Sequence, residues 1–160
     1  MTAAALYAVP DDDVTPYPVS LSGVYEALVK LSHHPRVVNP HSTLAVHVDD
    51  CAFLVHLGRG GTYLSVRTSW DTHAPYRTSA DSLFAATDAW NRERYFPTVY
   101  TVETSKHTAK LVADYLVDGK AGLSTRQLVN NLRVAVSTGL DAIEYLRQAA
   151  AKLLDLPAHG

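Results

Sequence analysis

The chain has 160 residues, of which 14 are basic and 16 acidic, so its formal net charge is −2 with neutral histidines. This balance excludes a strongly basic protein of the nucleic-acid-binding class, and the single cysteine, Cys51, excludes an internal disulfide. A chain of this length forms one domain that buries roughly 70% of the surface of its unfolded state.

The first residues lack the basic segment and long apolar core of a signal peptide, and the apolar runs are too short to span a membrane. We therefore expect a cytoplasmic protein without a nucleic-acid or membrane partner.

Residues 1–19 contain three prolines and three consecutive aspartates at 11–13. Proline removes backbone donors and aspartate is well solvated, so we predict an N-terminal arm that is flexible or packed on the surface. A single domain is predicted over 20–157.

The first helix is predicted to begin at Ser20 or Ser22, because a serine side chain can accept a hydrogen bond from a free N–H of the first turn. Apolar residues recur at helical spacing over 21–31. His34 precedes Pro35, and the residue before a proline avoids helical geometry, so the helix ends there.

Three antiparallel strands follow, because apolar and polar residues alternate over 44–49, 51–57 and 63–70. The connecting turns are predicted at Asp49-Asp50 and at the glycine-rich segment 58–61, where glycine supplies the positive φ that hairpins need.

These turns would align three apolar residues across the core face of the strands, namely Val46, Phe53 and Val66. The opposite face would carry polar and aromatic side chains: His47, His56, Tyr63, Ser65 and Arg67.

The second half begins with a predicted loop at 71–79 and a helix at 80–92, which the proline at 97 separates from the next strand. Strands are predicted at 98–103, rich in β-branched and aromatic residues, and at 109–117. The last of these strands has apolar residues on both faces, which is typical of a strand covered twice, for instance by a dimer partner.

Ser124 is predicted to cap the final helix, whose apolar positions continue for several turns until Pro157 marks its end. Gly139 interrupts this pattern at a cost of about 1 kcal/mol, and close packing against the sheet would be the structural reason. The predicted fold is therefore α+β in two layers, a five-stranded antiparallel sheet with three helices in the order α-β-β-β-α-β-β-α.

Motifs for chemistry are weak. His47 and His56 could face each other across a hairpin, but zinc needs three or four ligands, and the HxxxH, HExxH and CxxC spacings are absent. The glycines at 58–61 are followed by a strand and lack the lysine of a phosphate-binding loop, and no GxSxG nucleophile motif occurs. We predict no enzymatic activity and no cofactor.

Three segments form a recognisable pattern. Residues 90–100 read Trp-Asn-x-x-Arg-x-Phe-Pro-x-x-Tyr, and residues 61–70 read Gly-Thr-Tyr-Leu-Ser-Val-Arg-x-x-Trp. Residues 122–128 read Gly-Leu-Ser-x-x-Gln-Leu, with Thr-Gly-Leu at 138–140. Over about 21–146 the chain resembles the YbjN-domain family, whose members are called bacterial sensory transduction regulators. The arm is longer than that domain needs, and 35–40 has no counterpart in the pattern.

The resemblance implies a fold similar to type III secretion chaperones, which are often dimeric and bind extended segments of partner proteins. It carries over no catalytic residue. We therefore expect a non-enzymatic, homodimeric protein- or peptide-binding module, chaperone-like or a regulatory adaptor. The predicted partner or dimer surface comprises Leu54, Tyr63, Val112 and Leu116. The alternative is a small-molecule or metal-binding regulator that uses His47, His56 and Arg67.

Overall fold

The computed structural model describes residues 9–155 and has an α+β fold in which three helices pack on one face of an antiparallel sheet. The helices are α1 (Leu21–Lys30), α2 (Tyr76–Glu93) and α3 (Thr125–Leu154). The strands are β1 (Arg36–Asn39), β2 (Thr43–Val48), β3 (Cys51–Gly58), β4 (Tyr63–Pro75), β5 (Thr98–Glu103) and β6 (Thr108–Asp118). They are ordered β1-β2-β3-β4-β6-β5 in the sheet.

The predicted number of five strands is wrong, because β1 adds a sixth at the edge of the sheet. The element order is thus α-β-β-β-β-α-β-β-α. β1 has four exposed residues, and its pairing with β2 is irregular between Val37 and Asn39. A strand this short and exposed on both faces leaves no alternating pattern in the sequence.

The loop predicted at 71–79 is also wrong, because β4 continues to Pro75 and α2 begins at Tyr76. The pairing of β4 with β6 is irregular between Asp71 and Pro75, where His73 has a φ of 58°. The Asp71 carboxylate accepts a hydrogen bond of 2.8 Å from the His73 backbone N–H. Polar residues that look like a loop in the sequence thus form a bulged extension of the strand.

The predicted alignment of three core residues is wrong for one of them. Val46 pairs with Phe53 as expected, but Phe53 pairs with Thr68, whereas Val66 pairs with Val55. A single 3-10 turn (Arg59–Gly61) joins β3 to β4, and Gly58 pairs with Tyr63 at the end of the ladder. The register is therefore shifted by two residues from the predicted one.

Helix α3 lies close to the sheet where Gly139 faces Phe53. A Cβ added at Gly139 would be 2.8 Å from Phe53 Cε1 and 3.4 Å from Thr68 Cγ2. This contact confirms the packing reason predicted for a glycine inside the helix. The predicted caps are confirmed too, since Ser20 accepts from Gly23 N at 3.1 Å and Ser124 forms a capping box with Gln127.

The connection from α2 to β5 is closed by Trp90, whose side chain is 3% exposed and donates from Nε1 to the Pro97 carbonyl at 2.9 Å. The Arg94 guanidinium stacks 4.4 Å from the Trp90 ring centroid. Phe96 is 53% exposed, and its ring packs against Tyr115 at a centroid distance of 5.1 Å.

The described part of the N-terminal arm, residues 9–19, crosses the loop before α3. Tyr17 and Leu123 exchange two backbone hydrogen bonds, of 3.2 and 3.0 Å, and Val19 is buried. Residues 1–8 and 156–160 lie outside the described part of the chain, and with them the start of the predicted arm and the end of the predicted domain, including Pro157. Helix α3 ends at Leu154, followed by Asp155 in left-handed geometry.

Candidate functional site

The sheet face opposite the helices, called the outer face here, contains a depression of about 330 Å³ between β2, β3, β4 and β6. Arg67 lies in its middle, paired across the strands with Leu54 on one side and Asp114 on the other. The neighbouring row places His56 beside Ser65 and Ser65 beside Leu116, and Thr43 and Tyr63 complete the lining.

The centre of the depression is an ion pair with a hydroxyl attached. Asp114 accepts hydrogen bonds from Arg67 Nη2 at 2.7 Å and from Ser65 Oγ at 2.8 Å, so each carboxylate oxygen has a partner. The hydrogen bond with Asp114 raises the pKa of the Arg67 guanidinium above its ordinary value. The ion pair joins one positive and one negative side chain, so the centre is polar but carries no net charge.

His56 lies at one side of this centre. Its Nδ1 is 3.1 Å from Thr43 Oγ1, and its ring is tilted against Tyr63 with the centroids 6.2 Å apart. Tyr63 folds back over the turn, and a Cβ at Gly58 would overlap its ring. The glycine is therefore required for the aromatic wall of the depression.

Two exposed leucines form the apolar rim. Leu54 on β3 is 46% exposed and Leu116 on β6 is 61% exposed. They lie two strand spacings apart across the sheet and two residues apart along it, a separation of roughly 12 Å. Each leaves apolar surface open to solvent, and the polar Arg67–Asp114 pair lies between the two.

The structure brings together most of the predicted site residues. Three of the four from the partner surface and two of the three from the ligand face line the same depression: Leu54, Tyr63, Leu116, His56 and Arg67.

Two predicted site residues do not join them. Val112 lies on the outer face, as predicted, because it precedes Asp114 by two residues on β6. It is only 4% exposed between its cross-strand neighbours Ser69 and Tyr100 and does not line the depression. His47 is exposed but lies four residues along β2 from Thr43, roughly 13 Å away.

Two lining residues, Thr43 and Asp114, are absent from the residues predicted for this face, whereas Ser65 is among them. Asp114 could have been found, because it lies two residues before Leu116 on the same strand and therefore on the same face. Its partner Arg67 could not have been assigned without the register of β4 against β6.

Within residues 9–155, no group of three or more histidine, cysteine, aspartate or glutamate side chains is arranged to hold a metal ion. None of the helices in that part of the chain has the length and apolar character needed to cross a membrane.

Comparison with solved structures relates this fold to three other proteins. YbjN from E. coli superposes with a TM-score of 0.66 at 13% identity, covering 89% of this chain and 98% of that one. A chain of the HopA1–SchA chaperone–effector complex gives 0.50 at 16% identity, covering 82% and 97%. An uncharacterised protein from Methanothermobacter thermautotrophicus gives 0.54 at 10% identity, covering 81% and 98%. At these identities the likeness concerns the fold.

None of the curated proteins with which the sequence was compared matches it significantly. The sequence does match, over residues 35–148, the YbjN family, described as "Putative bacterial sensory transduction regulator". The resemblance inferred from the segments around Trp90, Tyr63 and Ser124 is thereby confirmed. Because the match spans more than half of the chain, this protein belongs to the YbjN family.

Proposed function

We propose that this protein is a non-enzymatic module of the bacterial cytoplasm that binds a protein or peptide segment through the outer face of its sheet. The observation that carries the proposal is the exposure of Leu54 and Leu116 on a sheet face that the helices leave uncovered within residues 9–155. Because each leucine is already about half buried, complete burial by a partner would contribute roughly 1 kcal/mol each, about half of the value for a fully exposed side chain.

The layout of the face suits a segment of polypeptide. The two leucines offer separate apolar contacts roughly 12 Å apart, which is about four residues of an extended chain. Between them, the Arg67–Asp114 pair and His56 offer hydrogen-bonding groups to the backbone or polar side chains of a partner. Protein interfaces usually have an apolar centre and a polar rim, so a partner on this face must supply hydrogen-bonding groups for the Arg67–Asp114 pair at its centre.

The state of the polar groups favours binding over catalysis. Asp114 accepts one hydrogen bond on each carboxylate oxygen, from Ser65 and from Arg67, so its carboxylate serves as the acceptor in an ion pair. This ion pair accounts for both charged side chains at the centre of the depression without a reacting substrate.

The structural neighbours support a chaperone-like or adaptor role. One of them is a chain of a chaperone–effector complex, and the family is described in terms of sensory transduction regulation. We propose a homodimer as the working unit, which sedimentation at high protein concentration tests directly. A strict monomer there would exclude the dimer.

The outer face is tested by a photo-crosslinking amino acid placed at Leu116 and, as a matched control, at Leu153, which is 49% exposed on α3. We expect protein adducts in bacterial cells from position 116 and not from 153. In the same cells, the double change Leu54→Asp and Leu116→Asp should abolish co-purification of the crosslinked partner, whereas Leu153→Asp should preserve it. Equal adducts from both positions, or a partner retained by the double variant, would refute the proposal.

The second candidate is a small-molecule-binding or metal-binding regulator, favoured by His56 and Arg67 sharing one depression of about 330 Å³. Its volume is at the lower end of the range for ligand sites. Elemental analysis of the purified protein and a melting-temperature screen against small molecules decide this. A shift lost in Arg67→Gln would favour it, and the absence of both metal and shift would end it.

A further inference from the structure

A second concave site lies beside the helices and shares no lining residue with the depression on the outer face. It is a cleft of about 630 Å³ at the start of α3, and we call it the basic cleft after its three cationic residues: Lys30, Arg126 and Arg133. Asp13 of the arm and Asn130 of α3 also line it. The volume is within the range typical of small-molecule sites.

The cationic side chains come from two helices. Arg126, Asn130 and Arg133 stand at positions i, i+4 and i+7 of α3, which places them on one face of the helix. Their seven-residue span corresponds to roughly 10 Å along the axis. Lys30 is the last residue of α1, which packs against α3.

A carboxylate from the chain itself already occupies one end of this cleft. Asp13 Oδ1 and Oδ2 accept hydrogen bonds from Arg126 Nη2 at 3.3 and 3.2 Å, and Oδ2 also accepts from Arg126 Nε at 3.3 Å. The backbone N–H of Arg126 donates to the Asp13 carbonyl at 2.9 Å. Arg126 is thus positioned to grip an oxyanion with its guanidinium fork.

The other two cations are not neutralised in this way. Within residues 9–155, neither Lys30 nor Arg133 takes part in an ion pair, and the hydrogen bond from Arg133 Nη1 goes to the neutral Asn130 Oδ1 at 3.4 Å. After Asp13 has paired with Arg126, the cations Lys30 and Arg133 remain in the cleft. Lys30 also lines the adjoining pocket, beside acidic residues, whereas Arg133 does not.

We infer that the basic cleft binds a compact small molecule with at least two phosphate or carboxylate groups. Lys30 and Arg133 bind one group, and Arg126 binds the other in place of the Asp13 carboxylate. This site goes beyond the proposed partner binding at the outer face and does not depend on it.

Neighbouring charges restrict the ligand to a compact one. Asp11, Asp12 and Glu26 line an adjoining pocket of about 260 Å³, so negative charge lies directly beside the cleft. An extended polyanion such as a nucleic acid would have to run across these carboxylates and would be repelled.

The test is calorimetric titration of the whole protein at low ionic strength with two probes, inorganic pyrophosphate and citrate. Binding of one and not the other distinguishes phosphate from carboxylate recognition. Arg133→Gln should weaken binding about tenfold or more, since a charge-assisted hydrogen bond is lost. Asp13→Asn should strengthen it severalfold, because the internal competitor loses its charge.

The matched control is Arg92→Gln, an exposed arginine on α2 that pairs with Asp88, and it should bind like the wild type. Melting curves verify that each variant is folded. No heat from either probe, equal losses in Arg133→Gln and Arg92→Gln, or weaker binding by Asp13→Asn would each overturn the inference. Binding of a single-stranded oligonucleotide that depends on Arg133, with no binding of either small anion, would overturn it as well.

Discussion

Asn91 holds both backbone groups of Val99. Its side-chain Nδ2 donates to the Val99 carbonyl at 2.8 Å, and its Oδ1 accepts from the Val99 N–H at 3.0 Å. Val99 belongs to β5, whose one neighbouring strand within residues 9–155 is β6. The asparagine amide thus takes the place of an adjacent strand at this point and connects the end of α2 to the sheet edge.

The change Asn91→Ala is expected to destabilise the protein by about 1–3 kcal/mol, because two backbone groups of Val99 lose their partner. Asn91→Asp keeps the acceptor for the Val99 N–H but places an oxygen against the carbonyl, so it should also be destabilising. Urea unfolding measures both. Full stability of Asn91→Ala would show that water replaces the amide at no cost.

Trp90→Ala should cost about 3–5 kcal/mol, since a nearly fully buried indole leaves a large cavity. Trp90→Phe retains part of the packing against Tyr145, whose ring centroid is 5.2 Å away, and loses the hydrogen bond to Pro97. We expect it to cost less than the alanine variant. Thermal and urea unfolding check the order, and an unchanged melting temperature for Trp90→Ala would contradict the burial.

Gly139→Ala tests the contact between α3 and the sheet. Alanine would gain about 1 kcal/mol of helix propensity, but its Cβ would meet Phe53 at 2.8 Å, and overpacking in a core costs about 1–3 kcal/mol. We expect a net loss of stability.

The matching experiment is a double-mutant cycle with Phe53→Leu, measured by urea unfolding. The smaller side chain should absorb the added methyl, so the double variant should be more stable than the sum of the two single effects predicts. If the two stability changes are simply additive, the strain caused by the added methyl group does not arise from its contact with Phe53.

Cys51 should react slowly with thiol reagents in the native protein. Burial, with a further contribution from the Asp50 carboxylate, raises the pKa of its thiol above the ordinary value. The folded state therefore favours the neutral thiol. The stability that this preference contributes is fully present below about pH 8.5, the pKa of a free thiol, and is lost as the pH rises through the higher pKa of the native state.

The pH dependence of native thiol labelling should accordingly have its midpoint above about pH 8.5. In urea the reaction should be fast and follow the ordinary thiol pKa. The melting temperature of a Cys51→Ala variant should rise relative to that of the wild type as the pH is raised above about 9. A native midpoint at or below that of the unfolded protein would contradict the raised pKa.

Local patterns were sufficient for most of the fold. Alternation identified β2, β3 and the first part of β4, and serine caps identified the starts of α1 and α3. β1 was missed because four exposed residues carry no periodic burial. The end of β4 was missed because the positive φ at His73 depends on a bulge that the composition does not indicate.

The outer face was predictable in part for the same reason. A strand alternates its side chains with a period of two, so Leu54, His56 and Leu116 could be assigned to one face from the sequence. Which of them meet depends on the register between strands, and the turn after Gly58 sets that register. The burial of Val112 depends on strand neighbours that are distant in sequence, Ser69 and Tyr100.

The N-terminal arm passes so close to two turns of the domain that each turn has a glycine at the point of contact. A Cβ at Gly61 would be 2.7 Å from the Val19 carbonyl oxygen, and one at Gly122 would be 2.7 Å from that of Tyr17. Both glycines have a positive φ, so each is required by its own turn as well as by the arm. A substitution at either glycine would therefore require a new turn conformation and a new path for the arm at the same time. The turns and the arm can thus change in evolution only together.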